Sequence, residues 1–415
     1  MSTLDHRKLY RLPWSCSDNV ISWLEPTKSC NIYCEGCYSV NNPTSHKSLD
    51  QVREDLDVFQ KYRNTDAVSV AGGEPLTHPR IVEIVRMIAA RGLKPVVNTN
   101  GFAMTPELMR ELKRAGMKGV TFHIDSGQRR KGWTGRSEIE LNELRLHYAK
   151  MVASIGGLSC AFNATVYEHT LPCVPDLVEW AQRHIDIVQV MVFIAFRFAP
   201  AGMEFYVGNE RIDVGPLPYS KDRGQRTDIS SREIIARIRE RSPETEPAAY
   251  LNGTEEPEAL KWLLTLRLGH RDRIFGSAGP KCIELAQVAN HLFHGRYLGY
   301  ISPRFMSKGR SLLPLVALDR GLRRAFGRYL GTVVRNPLRL FRRLHMQSIM
   351  IIQPVDVLAD GRQSMCDGCP DMTVWDGRLV WSCRLEEPML YGGFMCMVPS
   401  RGDGAADGEP SPGHR

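Results

Sequence analysis

No run of this 415-residue chain is apolar for long enough to cross a bilayer. Its most hydrophobic stretch, 188–196, is nine residues and contains Gln189, against the ~18 that a spanning helix needs. A secretory leader is not expected either. The opening residues carry Asp5, His6, Arg7, Lys8 and Arg11 and have no apolar core segment. Aromatic platforms and a recognised RNA-binding motif are missing, so no nucleic-acid partner is expected. Without a leader, the eleven cysteines read as reduced thiols or metal ligands rather than disulfides, which predicts a cytoplasmic, reducing setting. The apolar content of 43% argues against wholesale disorder, and the length allows one large α/β domain with additions.

From about Val20 to Pro200 one pattern repeats, a short apolar run followed by an amphipathic stretch. The runs are 20–24, 67–70, 95–98, 119–124, 158–166 and 187–196. Between them Ser48 and Gln51 form a capping box, Thr105–Pro106 an N-cap with proline in the first turn, and Gly116 a helix stop. The spacing also predicts helices over 81–90 and 174–185. Alternation of this kind implies parallel strands with right-handed crossovers. Six units fit where a full barrel would need eight. The expected fold is therefore α/β, a partial (β/α)6 barrel of parallel strands with an α-rich extension and a small C-terminal Cys-rich metal region. An open doubly wound sheet is the alternative.

Chemistry concentrates in Cys30, Cys34 and Cys37, spaced C-x3-C-x2-C after the first run. Three thiolates in eight residues can wrap one face of an iron–sulfur cube and leave its fourth iron bare. Structural zinc would call for four closed ligands. The other strand ends are polar as well: Gly72, Gly73 and Glu74, then Asn98, then Asp125 and Ser126, then Asn163, then Arg197. In a parallel barrel these all fall at the carboxyl ends of the strands, where ligands bind. His123 reads instead as a strand residue facing core or helix.

C-x3-C-x2-C followed by Gly-Gly-Glu-Pro after the next strand resembles the radical S-adenosylmethionine (SAM) superfamily, over residues 18–200. The resemblance implies a [4Fe–4S] cluster on Cys30, Cys34 and Cys37, with SAM chelating the fourth iron. It implies that Gly72, Gly73 and Glu74 hold the SAM amino group. Asn98, Asp125 and Ser126 would contact ribose or carboxylate, with Asn163 and Arg197 as further contacts. Reductive cleavage of SAM would give a 5′-deoxyadenosyl radical that abstracts hydrogen from a substrate carbon. An electron donor of flavodoxin or ferredoxin type is the implied partner. One departure is Gly36, where the family often has an aromatic residue, so Tyr33 or Tyr38 is expected to cover the adenine. Nothing resembles a separate cobalamin domain.

A second set of cysteines follows. Cys366, Cys369, Cys383 and Cys282, with Cys396 as substitute, are the expected ligands of a second iron–sulfur cluster or single metal. Asp376–Gly377 predicts a hairpin turn between Cys369 and Cys383. The position resembles the auxiliary-cluster domains of the same superfamily. Between Arg310 and His345 nine arginines face one acid, Asp319, which accounts for the whole net charge of +8. Interleaved leucines, valines and phenylalanines make this stretch a candidate for peripheral contact with anionic lipid, as two short helices broken at Gly327, Gly331 and Pro337.

The expected organisation is an N-terminal extension (1–17), the barrel (18–200), a mixed helical extension (201–309), the basic segment (310–345), the Cys-rich region (346–400) and a disordered tail (401–415). A helix is expected around 259–267 within the extension. The substrate expected from the basic apolar stretch is a lipid or isoprenoid. A ribosomal peptide or small metabolite is the alternative, and an electron carrier or zinc-binding protein the non-enzymatic one.

Overall fold

The computed structural model describes residues 4–197, 202–217 and 226–400. The predicted tail, 401–415, and the end of the predicted barrel segment, 198–200, lie outside them. Six strands appear where the apolar runs predict them: β1 (Ile21–Leu24), β2 (Ala67–Val70), β3 (Lys94–Thr99), β4 (Gly119–His123), β5 (Ser159–Val166) and β6 (Val190–Ala195). They lie side by side in chain order, every pair parallel. Each is followed by a helix: α1 (Leu49–Tyr62), α2 (Ile81–Ala90), α3 (Pro106–Arg114), α4 (Asn142–Ile155), α5 (Val174–Arg183) and α6 (Ser231–Arg241). The local signals act as expected. Ser48 and Gln51 exchange bonds at 3.2 and 2.8 Å, Thr105 caps Leu108, and Gly116 takes a φ of 114°. Strands and helices share one core, with Val52, Leu56 and Phe59 of α1 packed against it.

The sheet continues beyond six strands. β10 (His345–Ile352) adds a seventh parallel strand beside β6. β8 (Trp262–His270) runs antiparallel to it, β7 (Ala249–Leu251) antiparallel to β8, and Tyr10–Arg11 forms the edge. β9 (Arg273–Ser277) pairs with β8 as a hairpin. The helix expected over 259–267 is thus a strand. Trp262 to His270 finds hydrogen-bond partners on both sides, and that tertiary pairing overrides local helical spacing. The described helices of the extension are α6, α7 (Pro280–His294) and the single turn Pro303–Met306.

The Cys-rich region closes the gap between the two sheet edges. Its Cys366–Cys369 turn receives Asn19 Nδ2 on Gly368 O (3.0 Å) and Arg63 Nη2 on Cys369 O (3.3 Å) from the β1 side. From the other edge, Asn252 O accepts the Asp367 amide at 3.0 Å. Gly368, at φ 74°, has no room for a Cβ, which would meet Trp14 O at 2.1 Å. The predicted hairpin follows as β11 (Met372–Trp375) and β12 (Arg378–Trp381), turning at Asp376 and Gly377 with positive φ at both. α9 (Glu386–Tyr391) and the strand Cys396–Pro399 end the region.

In the basic segment α8 (Arg320–Arg335) is continuous, with short 3-10 helices before and after it at Gly309–Leu315 and Pro337–Phe341, so of the predicted breaks only the one at Pro337 occurs. Gly327 and Gly331 lie on its exposed side and do not interrupt it; Asn336 and Pro337 end it. Its inner face buries Leu322, Ala325, Phe326 and Tyr329. Among the described residues, no helix is long and apolar enough to cross a membrane.

Candidate active site

The carboxyl ends of the strands open into one cavity of about 790 Å³. Cys30, Cys34 and Cys37 form part of its wall, carried on the loop after β1. That loop is held from several sides. Tyr33–Cys34 pairs antiparallel with Gln128–Arg129 after β4. The Cys30 amide donates to Asn41 Oδ1 at 2.9 Å, and Cys37 Sγ lies 3.3 Å from Ser39 O. Burial pushes all three thiols above their ordinary pKa, and the mutual proximity of the three adds to this at Cys34. Three sulfurs that resist becoming anions in isolation are suited to a strongly cationic partner, which stabilises thiolates outright. Among the described residues no three His, Cys, Asp or Glu side chains converge tightly enough for a single ion. A cube spreads its thiolates over separate corner irons and does not require that convergence.

The Gly-Gly-Glu-Pro turn packs against the root of the cysteine loop. Gly73 N donates to Thr27 O at 2.9 Å and Glu74 N to Ser29 O at 2.7 Å. A Cβ on Gly72 would meet Thr27 O at 2.3 Å, and one on Gly73 would meet Ser29 O at 2.4 Å. Both glycines line the cavity. Glu74 does not. It is 1% exposed, and its carboxylate accepts from Leu76 N (3.0 Å), Thr99 Oγ1 (2.6 Å) and Asn100 N (2.6 Å). These bonds strap the β2 turn to the end of β3. Asp125 is engaged in the same way. It is buried, accepts from Gly127 N and Thr165 N at 3.0 and 3.2 Å, and lies 2.8 Å from His123 Nε2. Burial alone would raise its pKa, but the bond to His123, with the other donors, holds it below the ordinary value.

His123, read from sequence as a packing residue, lines the cavity on the arm of that carboxylate. An Asp at i+2 of a strand-end His was the available signal. Ser126 lies outside the cavity lining; its amide donates to Glu138 Oε2 at 2.8 Å. Asn98 and Asn163 do line the cavity, and Asn98 Nδ2 and Asn163 Oδ1 are buried without a hydrogen-bond partner. Orphaned polar atoms facing a cavity are what a polar ligand would satisfy. Arg197 also lines it, braced by Asp356 Oδ1 at 2.7 Å.

Tyr33 and Tyr38 both border the cavity, Tyr33 with the Arg129 guanidinium 4.8 Å above its ring. The place that an aromatic residue at position 36 would take is filled from another strand. Tyr167 Oη accepts the Gly36 amide at 3.0 Å, and a Cβ on Gly36 would lie 2.8 Å from that oxygen. Tyr167 and Phe196, with ring centroids 5.0 Å apart, form an aromatic wall that sequence reasoning missed because its members come from the ends of β5 and β6.

The second cysteines divide. Cys366 and Cys369 are free thiols buried together and hydrogen-bonded to one another, and Cys383 lies in their electrostatic reach and also lines the cavity. The hairpin brings them together, since Ser382 N donates to Asp371 O at 3.0 Å across its open end. Cys282 is elsewhere. It packs on α7 with Leu268, Phe275 and Phe326, and its amide donates to Asp319 Oδ2 at 3.0 Å, so it is not gathered with the other three. Cys396 is exposed on a strand paired with Met203–Val207.

Behind Cys383, Glu386 ties this region to the first cysteine loop. Its Oε1 accepts from Lys28 Nζ (2.9 Å), Ser39 Oγ (3.2 Å) and Val40 N (2.9 Å). Glu25 holds the same ammonium at 3.0 Å. Burial would push the Lys28 pKa down, but the two carboxylates raise it above its ordinary value.

Comparison with known proteins agrees with this arrangement. Residues 24–157 match the family model "Radical SAM superfamily". An AdoMet-dependent heme synthase of Methanosarcina barkeri is 26% identical over 210 residues, 49% of this chain and 56% of that protein. A tungsten-containing aldehyde ferredoxin oxidoreductase cofactor-modifying protein of Pyrococcus furiosus is 32% identical over 106 residues, 25% of this chain and 30% of that protein. The chain thus spans about half or less of the length of these curated relatives. Among solved structures, Streptococcus suis SuiB bound to S-adenosylmethionine aligns at a TM-score of 0.39 and 14% identity, over 55% of this chain and 48% of that one. The matched segment, 24–157, carries the three loop cysteines at the ends of its parallel strands and is a radical SAM domain, a family whose cofactors are a [4Fe–4S] cluster and SAM.

Proposed function

We propose that this protein is a radical SAM enzyme acting on a lipid-like or isoprenoid carbon skeleton. The observation that carries the chemistry is the shared cavity, which three thiols line together with two half-buried asparagines, Asn98 and Asn163, each with one buried side-chain atom (Nδ2 and Oδ1) lacking a partner. Cys30, Cys34 and Cys37 would hold the cluster. When bound, cluster and SAM supply a 5′-deoxyadenosyl radical that takes a hydrogen atom from the substrate. The chain's own residues bind, orient and exclude water. Gly72 and Gly73 offer backbone at a close-approach edge. Asn98, Asn163 and Arg197 present polar groups, and Tyr167 and Phe196 an aromatic face. The Asp125 carboxylate orients His123 by taking its Nε2 at 2.8 Å, which leaves Nδ1 as the ring nitrogen available to a ligand.

The apolar remainder of the wall, including Ile194, Val355, Val357 and Met397, supports a hydrophobic substrate. Similarity to a heme synthase and to GTP 3′,8-cyclases favours a small metabolite as the second reading. Cys366, Cys369 and Cys383 would hold a second metal centre. Asp371 takes the place expected for Cys282, because its Oδ1 is buried without a partner beside Cys369 and Cys383. A flavodoxin or ferredoxin would deliver the electron, and peripheral contact with a membrane would bring the enzyme to its substrate.

Anaerobic incubation of the reconstituted protein with SAM and dithionite tests the core of this reading. The expected product is 5′-deoxyadenosine; its absence with the cluster in place overturns the enzymatic assignment. Extracted lipids that stimulate its release, where peptides and nucleotides do not, would support the substrate class.

A further inference from the structure

The described surface exposes its large apolar residues unevenly. Val334 is 82% exposed, Leu338 73% and Phe341 82%, with Leu330 and Leu340 about half exposed beside them. These sit at the end of α8 and in the turn Pro337–Phe341 that follows it. Arg335, Arg342 and Arg343 are exposed in the same stretch. The acid facing it from a packed element is Asp272, at the β8–β9 turn, 3.6 Å from Arg339 and 3.5 Å from Arg342. The tip is also built firmly. Arg310 donates to the carbonyls of Leu340 and Arg342, and its Nε to Tyr329 Oη at 3.0 Å, anchoring the turn to the helix core.

Topology places this tip. It leads directly into the start of β10 at His345, and β10 is parallel to β6. The far end of β10 runs into Pro354 and Val355, which line the cavity. The tip therefore lies at the amino-terminal end of the barrel strands, opposite the site.

Resting on the peripheral-contact reading above, we propose that the 330–343 tip inserts into an anionic bilayer and sets the enzyme with its cavity away from the membrane surface. Guanidinium groups around protruding aliphatic and aromatic side chains match a headgroup layer of negative charge over hydrocarbon. Nucleic acid would satisfy the arginines but offers nothing to cover Val334 and Leu338. In this arrangement the tip positions the protein, and a lipid substrate has to leave the bilayer to enter the cavity.

Flotation of the full chain with phosphatidylcholine vesicles containing phosphatidylserine, against pure phosphatidylcholine, gives the test. The wild-type chain is expected to float with the anionic vesicles and at least tenfold less with neutral ones. Leu338→Ser with Phe341→Ser should lose at least tenfold of that binding, and Arg342→Gln with Arg343→Gln should lose part of it. Leu292→Ser with Phe293→Ser, an exposed apolar pair elsewhere, should change nothing. Wild type that fails to float defeats peripheral contact itself. Wild type that floats while the Leu338/Phe341 variant floats equally well defeats only the assignment to this tip. Vesicle binding lost with the arginines alone, and displaced by duplex DNA, would overturn the bilayer as occupant. Release of 5′-deoxyadenosine from SAM should be equal in all variants, which keeps the result separate from the catalytic reading.

Discussion

The two cysteine sets of this chain use the same side chain in opposite surroundings. Cys30, Cys34 and Cys37 sit on a loop in eight consecutive residues, open to a cavity. Cys366, Cys369 and Cys383 are brought together by a hairpin, with Cys366 and Cys369 sealed against Trp14, Leu251 and Trp262. The first set presents a reactive face, while the second closes the gap in the barrel. Cys383 belongs to both settings, since it also lines the cavity. A metal centre at the second site would thus stand in the wall of the reaction chamber. Cysteine spacing alone does not separate an open site from a closed one; what surrounds the sulfurs does.

Substitution breaks this comparison most severely at the first set. Alanine at Cys30, Cys34 or Cys37 should abolish 5′-deoxyadenosine formation down to the assay background while leaving the second centre. Removing Cys366 and Cys369 together should cut bound iron by about half if the second site holds a four-iron cluster, and the protein should still bind SAM. Iron quantitation with electron paramagnetic resonance reads both, and unchanged iron in the second variant would deny a cluster there.

The bond between the regions comes next. Glu386→Ala leaves the buried Lys28 ammonium with Glu25 alone and strips an acceptor from Ser39 and Val40. Breaking such a buried pair should cost about 3–5 kcal/mol in denaturant unfolding, and Glu386→Gln should recover part of it. A loss within error would mean that the two regions are not joined through this carboxylate.

Within the first site, Asn98→Ala or Asn163→Ala should weaken SAM binding by about tenfold, ~1.4 kcal/mol, if those orphaned atoms meet the cofactor. Isothermal titration of the reconstituted protein measures it, and unchanged affinity would redirect both residues to the substrate. The smallest effect on metal is expected at Cys282. Cys282→Ser should leave iron content untouched while lowering stability by about 1–3 kcal/mol, because a hydroxyl replaces sulfur in an apolar cluster. A loss of iron in that variant would restore Cys282 as a ligand.

Legibility followed the range of the interactions. The helix caps at Ser48 and Thr105 and the Asp376–Gly377 turn depend on residues within a few positions of one another, and each forms as read. The strand at Trp262–His270 was misread because its stability comes from partners 76 to 90 positions away in β10. Glu74 and Asp125 stand at the expected strand ends, but their protein partners were not legible. Their oxygens go to Thr99, Asn100 and Thr165, and a sequence does not display which backbone amides come within reach. The Tyr167–Phe196 wall and the Glu386 tie were invisible for the same reason.

The order of six parallel strands, the loop that carries three thiols and the end of the barrel where polar residues gather were written in the chain, because periodicity and local turns encode them. Which amides the buried carboxylates accept from, which cysteines meet, and that the arginine-rich tip lies opposite the cavity were decided only on folding. Those outcomes depend on distances between segments that share no local pattern, and packing alone sets such distances.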